Sequence, residues 1–273
     1  MRRIASTLAA LSLVAAACGG DGGSLPDDAF AFGVSGDIGI GSERLLVAVG
    51  NPAAERLSSP DLGITIKVWP EADDSASQTQ PGTFMWAIED VSGLYRATFE
   101  FDAPGVWVVE VTPDDGEALA PFPISVLSEP QAPAVGDPAP RSDTFTLDDG
   151  PLALITTDPE PSEDFYRLSV ADAVENGRPT VVIFSTPRFC QTAVCGPTLD
   201  LVRGVSTGHP EVDFVHVEVF TNLDDPNNLE LVPAITEWGL PSEPWVFVVD
   251  EAGFVSARFE GLISVEELEA ALT

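Results

Sequence analysis

Residues 128–135, Ser128-Glu129-Pro130-Gln131-Ala132-Pro133-Ala134-Val135, form a proline-rich break between two stretches whose apolar patterns demand different architectures. On the N-terminal side, short apolar runs recur at 29–34, 45–49, 64–69, 84–88, 95–101, 106–111 and 122–126, with turn residues between them and no helical period. Such runs predict an antiparallel β-sandwich over 25–127, because a strand of this kind buries its apolar face only against a second sheet. On the C-terminal side strand runs alternate with helical ones, which predicts an α/β sheet over 136–273. A chain of 273 residues with 44% hydrophobic content has the apolar mass for two cores.

Within the first half, the segment 93–107 turns at Pro104-Gly105 and brings in Trp107. It resembles the hairpin of immunoglobulin-like extracytoplasmic modules. Trp69, Trp86 and Trp107 are expected in the core, where the aromatic side chains of sandwich strands usually pack. No chemical motif stands out in this half.

In the second half, residues 179–185 are a continuous β-branched and apolar run, as in a central strand covered on both faces. Ser169 followed by Asp172 opens a short helix that ends near Gly177, and Ser264 with Glu267 has the spacing of a capping box for a last helix. Runs 213–220 and 244–250 read as further strands. Glu251-Ala252-Gly253 turns the second of these into a hairpin with 254–259.

Three separated motifs, in order along this half, resemble the thioredoxin superfamily, in particular its extracytoplasmic thiol-disulfide members. Val135-Gly136-Asp137-Pro138-Ala139-Pro140 resembles the entry to the family's N-terminal hairpin. Val181-Val182-Ile183-Phe184-Ser185-Thr186-Pro187-Arg188-Phe189-Cys190 resembles the strand that leads to its redox cysteine, and Trp238-Gly239-Leu240-Pro241-Ser242-Glu243-Pro244 resembles the turn that ends in its cis-proline. The resemblance implies a thioredoxin-like domain over 136–273, with Cys190 as the attacking thiol and Cys195 as the resolving one. Pro244 would then shape the groove for a partner peptide, and Glu243 beside it is suited to selecting basic or polar partners. No cofactor and no metal are implied.

The cysteine spacing departs from the family's two intervening residues, since Gln191-Thr192-Ala193-Val194 stand between Cys190 and Cys195. On a regular helix, positions five apart differ by about 140°, so the sulfurs meet only if Cys190 precedes the helix or the first turn is distorted. Gly196-Pro197 points to a break just after Cys195. No residue stands out as the buried carboxylate that serves the second thiol in many thioredoxins. Residues 177–199 contain no acid, and Arg188, two positions before Cys190, is expected to stabilise its thiolate together with the amides of a helix N-terminus. Closing so short a loop removes little chain entropy, which makes a purely structural staple an inefficient stabiliser. Two other readings stay open: a non-catalytic binding or scaffold lipoprotein with a structural disulfide, and a copper-handling chaperone. The second wants a histidine close to the pair. His216 lies within a strand and His209 precedes Pro210 in a surface loop, so neither is taken as a ligand.

Met1-Arg2-Arg3 and the apolar run 4–17 have the form of a signal peptide over 1–17, too short to span a bilayer. Val14-Ala15-Ala16-Ala17-Cys18 resembles the lipobox of bacterial lipoproteins, which implies acylation of Cys18 and a glycine-rich tether over 18–24. With Cys18 so occupied, Cys190 and Cys195 remain as the pair, in a compartment that permits disulfides. Twelve Lys+Arg against 44 Asp+Glu give a net charge of −32, which excludes nucleic acid as a partner and excludes attachment to anionic lipid through a basic face. The sequence is therefore read as a lipid-anchored protein on the extracytoplasmic face of the cell membrane that exchanges disulfides with protein thiols or disulfides.

Overall fold

A computed structural model of the chain describes residues 25–273; the signal segment, Cys18 and the tether lie outside the described residues. The first region consists of eight strands: β1 (Phe30–Gly33), β2 (Gly41–Gly50), β3 (Ile64–Pro70), β4 (Gln78–Pro81), β5 (Thr83–Ile88), β6 (Ser92–Phe101), β7 (Gly105–Pro113) and β8 (Phe122–Val126). They form two four-stranded antiparallel sheets, ordered β1-β2-β6-β5 and β4-β3-β7-β8, with a shared core. The period-two rule places Leu45, Val47, Tyr95 and Phe99 of one sheet against Ile64, Ile66, Val109 and Val111 of the other. A β-sandwich follows, as the apolar runs predict.

The structure corrects three details. The sandwich has β4, which the sequence reading omits because Gln-Thr-Gln-Pro is a polar edge strand with no buried residue. The segment 93–107 is not a hairpin: β6 pairs with β2 and β5 while β7 pairs with β3 and β8, so residues 102–104 carry the chain from one sheet to the other. Each strand is central in its own sheet and has no free edge for the other. Phe101 and Trp107 meet inside this crossing at 4.9 Å, edge to face, and Trp107 Nε1 donates to the Ala103 carbonyl. Of the three tryptophans only Trp107 is a core residue. Trp69 has the outward parity of Lys67, whose ammonium lies 5.0 Å from its ring, and Trp86 is exposed on the edge strand β5.

The second region is mixed α/β: α1 (Leu152–Ile155), α2 (Val170–Glu175), β9 (Thr180–Ser185), α3 (Cys195–Ser206), β10 (Asp213–Glu218), β11 (Phe220–Thr221), β12 (Glu230–Leu231), α4 (Pro233–Glu237), β13 (Trp245–Val249), β14 (Val255–Glu260) and α5 (Val265–Ala271). Its main sheet has the order β10-β9-β13-β14, with β9 and β10 parallel and the other pairs antiparallel. Every residue of β9 is buried, because both faces are covered: Val182 and Phe184 pack with α2 and α4, Val181 and Ile183 with α3 and α5. The Ser169 hydroxyl caps α2 by accepting from the Asp172 amide, and Ser264 with Glu267 forms the full capping box of α5. The run 213–220 divides into β10 and β11.

The two regions are joined by buried charges. The Arg258 and Asp37 side chains are 6% and 0% exposed, and their ion pair spans β14 and the loop before β2. The Asp37 carboxylate also accepts from the amides of Gln131 at 2.7 Å and Ala132 at 3.0 Å, so the proline-rich linker is tied to the sandwich. Arg44 of β2 makes a two-point contact with Glu267, the capping-box carboxylate, at 2.6 and 3.0 Å. Removal of one member of a buried pair leaves an uncompensated charge, at a cost of about 3–5 kcal/mol. Asp37→Ala should therefore lower the unfolding free energy in chemical denaturation by about 3 kcal/mol or more; a loss below about 1 kcal/mol would show that this pair does not hold the regions together.

Candidate functional site

The fully buried β9 ends at Ser185 and releases the chain at one end of the sheet, where Cys190 and Cys195 form a disulfide with a Cα–Cα separation of 6.0 Å. Cys195 is the first residue of α3, so Cys190 precedes the helix, the first of the two geometries that the spacing permits. Gly196-Pro197 corrects the expectation of a break. Pro197 lies in the first turn of α3, where its missing N–H has no intrahelical acceptor to lose, so it starts the helix rather than ending it.

The two sulfurs differ in environment. Cys195 is wholly buried, whereas Cys190 is half-buried at the end of an exposed loop. The Cys195 amide, a helix N-terminal donor, points at Cys190 Sγ at 3.3 Å, and the Thr192 hydroxyl lies at the same distance from that sulfur. Ala193, at φ 62°, turns the chain back so that this amide can reach the sulfur. Arg188 is exposed, with its guanidinium over the Phe189 ring at 5.3 Å, and no hydrogen bond joins it to Cys190. The positive end of a dipole at the sulfur is thus supplied by α3.

Pro244 stands at the same end of the sheet. The Glu243–Pro244 bond is cis, and the next residue, Trp245, begins β13 and pairs with Phe184, one residue before the end of β9. The Pro244 carbonyl accepts from the Gly261 amide at 2.8 Å. Glu243 is half-buried without an ion-pair partner, and burial pushes its carboxyl above the usual range.

A buried carboxylate near this loop, which the sequence reading did not find, is Glu218 at the end of β10, opposite Ser185 of β9. Its Oε2 accepts from the amide and the hydroxyl of Thr157, both at 2.7 Å, and the Thr157 oxygen in turn accepts from the Arg188 amide. The loop that carries Cys190 therefore hangs on Glu218 through one intermediary. Burial raises the Glu218 carboxyl, while the hydroxyls of Thr186 and Thr157 and the backbone amides of Thr157 and Val219 act against that rise. Glu218 is one of 44 acids and lies inside the run 213–220 with no motif around it, so its burial shows only once β10 ends there and β11 begins.

Both imidazoles are engaged elsewhere. His216 of β10 is buried, with Nδ1 2.7 Å from the Tyr166 hydroxyl and Nε2 3.1 Å from the Ser185 carbonyl. Nε2 also lies 2.8 Å from the Ser185 hydroxyl, and a neutral ring meets these contacts with one nitrogen donating and the other accepting. His209 sits between the carboxylates of Glu211 and Glu269, whose hydrogen bonds raise its pKa. Among the described residues no group of three or more His, Cys, Asp and Glu side chains is placed to hold a metal ion.

Burial lowers the His216 pKa to about 4; the Ser185 carbonyl and Asp158 pull upward and Arg203 pulls downward. The stability gained by keeping this ring neutral is fully present above the unfolded value near pH 6.5 and is lost as pH falls toward the folded value. Between pH 7 and pH 4 the loss should be on the order of 3 kcal/mol. His216→Gln should remove that component, and Glu218, whose raised carboxyl favours the fold at low pH, is common to both proteins. Parallel unfolding curves of wild type and variant across this window would contradict the assignment.

No family model matches the chain, and no curated protein is significantly similar to it. Among solved structures it is similar to the crystal structure of the Lin-41 filamin domain, at 12% identity over 37% of this chain and 93% of that chain, with a TM-score of 0.25. So low a score carries no argument, and the sandwich stands on its own two sheets.

Proposed function

We propose that residues 136–273 are a thioredoxin-like domain that exchanges disulfides with the cysteines of other proteins, held outside the membrane by a lipid on Cys18. The observation that carries this reading is the asymmetry of the pair: one sulfur is accessible and receives a helix amide, and the other is sealed in the core. A partner thiolate can therefore attack only Cys190 Sγ. That attack forms a mixed disulfide and breaks the Cys190–Cys195 bond, whose electron pair leaves on Cys195 as a thiolate that takes a proton. A second partner thiolate then attacks the partner's sulfur in the mixed disulfide and expels Cys190 as a thiolate, which the Cys195 amide and the N-terminus of α3 favour. The partner's two thiolates have lost two electrons and the pair has gained them, with Cys195 protonated from solvent and Cys190 left as a thiolate. The reverse sequence reduces a partner disulfide, with Cys190 attacking and Cys195 resolving.

In this reading Pro244 shapes the groove for the partner peptide, and Arg188 adds a cation to a loop segment that contains no acid. No helix of the described residues is long and apolar enough to cross a membrane, so anchoring falls to Cys18 in this reading. Cys18→Ser should move the protein from the membrane fraction to the soluble fraction with its fold intact; retention in the membrane after removal of the signal would refute the lipid anchor.

With the pair reduced, a limiting alkylating agent near neutral pH should label Cys190 about tenfold or more ahead of Cys195. Cys195→Ser should accumulate mixed disulfides with partner proteins, and Cys190→Ser should accumulate none. Faster labelling of Cys195, or trapping by Cys190→Ser, would reverse the roles. No trapping by either variant would leave a structural disulfide.

A further inference from the structure

We infer that the β-sandwich and the cysteine loop together build the docking groove for an extended, apolar and cationic segment of the partner protein, an inference that rests on the exchange reaction proposed above. The sheet β1-β2-β6-β5 is apolar on both faces. Ala31, Leu45, Val47 and Tyr95 face the sandwich core, while Leu46, Met85, Ala87 and Leu94 face outward and pack with Leu262 of the α/β region. Val194, the residue before Cys195, packs against the same outward cluster, so the sandwich touches the cysteine loop directly.

Beyond this contact the outward face continues uncovered. Phe30, Phe32 and Val34 are 38%, 42% and 41% exposed, a clustering that marks an interaction surface rather than scattered apolar residues. They form one wall of a groove of about 680 Å3; Thr192, Val194, Ser242 and Glu243 form the other. Thr192 on that wall has its hydroxyl 3.3 Å from Cys190 Sγ, so the sulfur lies one residue behind the groove lining. The groove is thus continuous with the established contact between the two regions, and it runs past the cis-proline turn.

Charge decides the occupant. The lining contains Glu55, Glu243 and Glu260 against Arg56 alone. Glu260 is taken up by the amides of Gly36 and Asp37 and by the Ser242 hydroxyl, and Glu55 accepts from the Asn51 side chain, which leaves Glu243 as the carboxylate without a partner. On a protein of net charge −32 an acidic segment is repelled throughout. A lysine or arginine near the partner's cysteine would meet Glu243, and apolar side chains flanking it would cover Phe30 and Phe32.

The test uses the oxidised full-length protein in detergent and three fluorescein-labelled peptides with serine in place of cysteine, read by anisotropy. One alternates leucine and lysine, one leucine and glutamate, and one serine and lysine. The leucine-lysine peptide should bind about tenfold or more tightly than either control, and Phe32→Ser and Glu243→Gln should each weaken it about fivefold or more. Glu243→Gln should also narrow the gap between the leucine-lysine and leucine-glutamate peptides. Equal binding of the serine-lysine peptide, or indifference to Phe32→Ser, would overturn the groove. So would a dimer dissolved by Phe32→Ser, which would make a second copy the occupant. These peptides cannot react, so failure here with trapping by Cys195→Ser intact rejects the groove alone, and binding without trapping rejects the exchange.

Discussion

The ion pair between Arg258 and Asp37 fixes the relation between the two regions of this protein, and the site depends on that relation. Both side chains are almost fully withdrawn from solvent, so each needs the other and every further hydrogen bond within reach. Asp37 accepts from the Gln131 and Ala132 amides, while Arg258 donates to the Ala132 carbonyl and lies over the Trp245 ring at 5.5 Å. Trp245 is the residue that follows the cis peptide bond. The same knot of residues thus orders the linker, the sandwich edge and the strand beside the disulfide.

A second contact works alongside it. Glu267 closes the capping box of α5 through Ser264 and receives both arms of Arg44 from β2, so one carboxylate starts a helix and joins two regions. Between these anchors the outward face of the first sheet meets Leu262 and Val194, and the apolar run Leu45-Leu46-Val47-Ala48-Val49 is buried on one side by the sandwich and on the other by the α/β region. On the far side of the loop, Glu218 and Thr157 hold the Arg188 amide. The cysteine loop is exposed at its tip, yet it is held from both flanks.

Features governed by neighbouring residues were legible in the sequence. The caps at Ser169 and Ser264, the doubly buried β9 and the turn from β13 to β14 need only residues a few places apart, while the cis bond at Glu243–Pro244 was expected only from the resemblance of 238–244 to a cis-proline turn. Features governed by distant residues were not. Asp37 and Arg258 are single charges far apart in sequence, Glu218 stands inside the run 213–220 with no motif around it, and the crossing of β6 and β7 between sheets depends on which strands pair elsewhere. One signal went unread: Leu45-Leu46-Val47-Ala48-Val49 is continuous rather than alternating, and a strand of that pattern is covered on both faces. It already implied that something packs outside the sandwich.

The role of the Cys190–Cys195 bond turns on its lability. The accessible Cys190, its thiolate favoured by the Cys195 amide, should make the reduced pair easy to maintain, so equilibration with a glutathione buffer should give a potential near or above about −200 mV. A potential below about −300 mV would mark a bond that the compartment does not open, and the disulfide would then be a structural one.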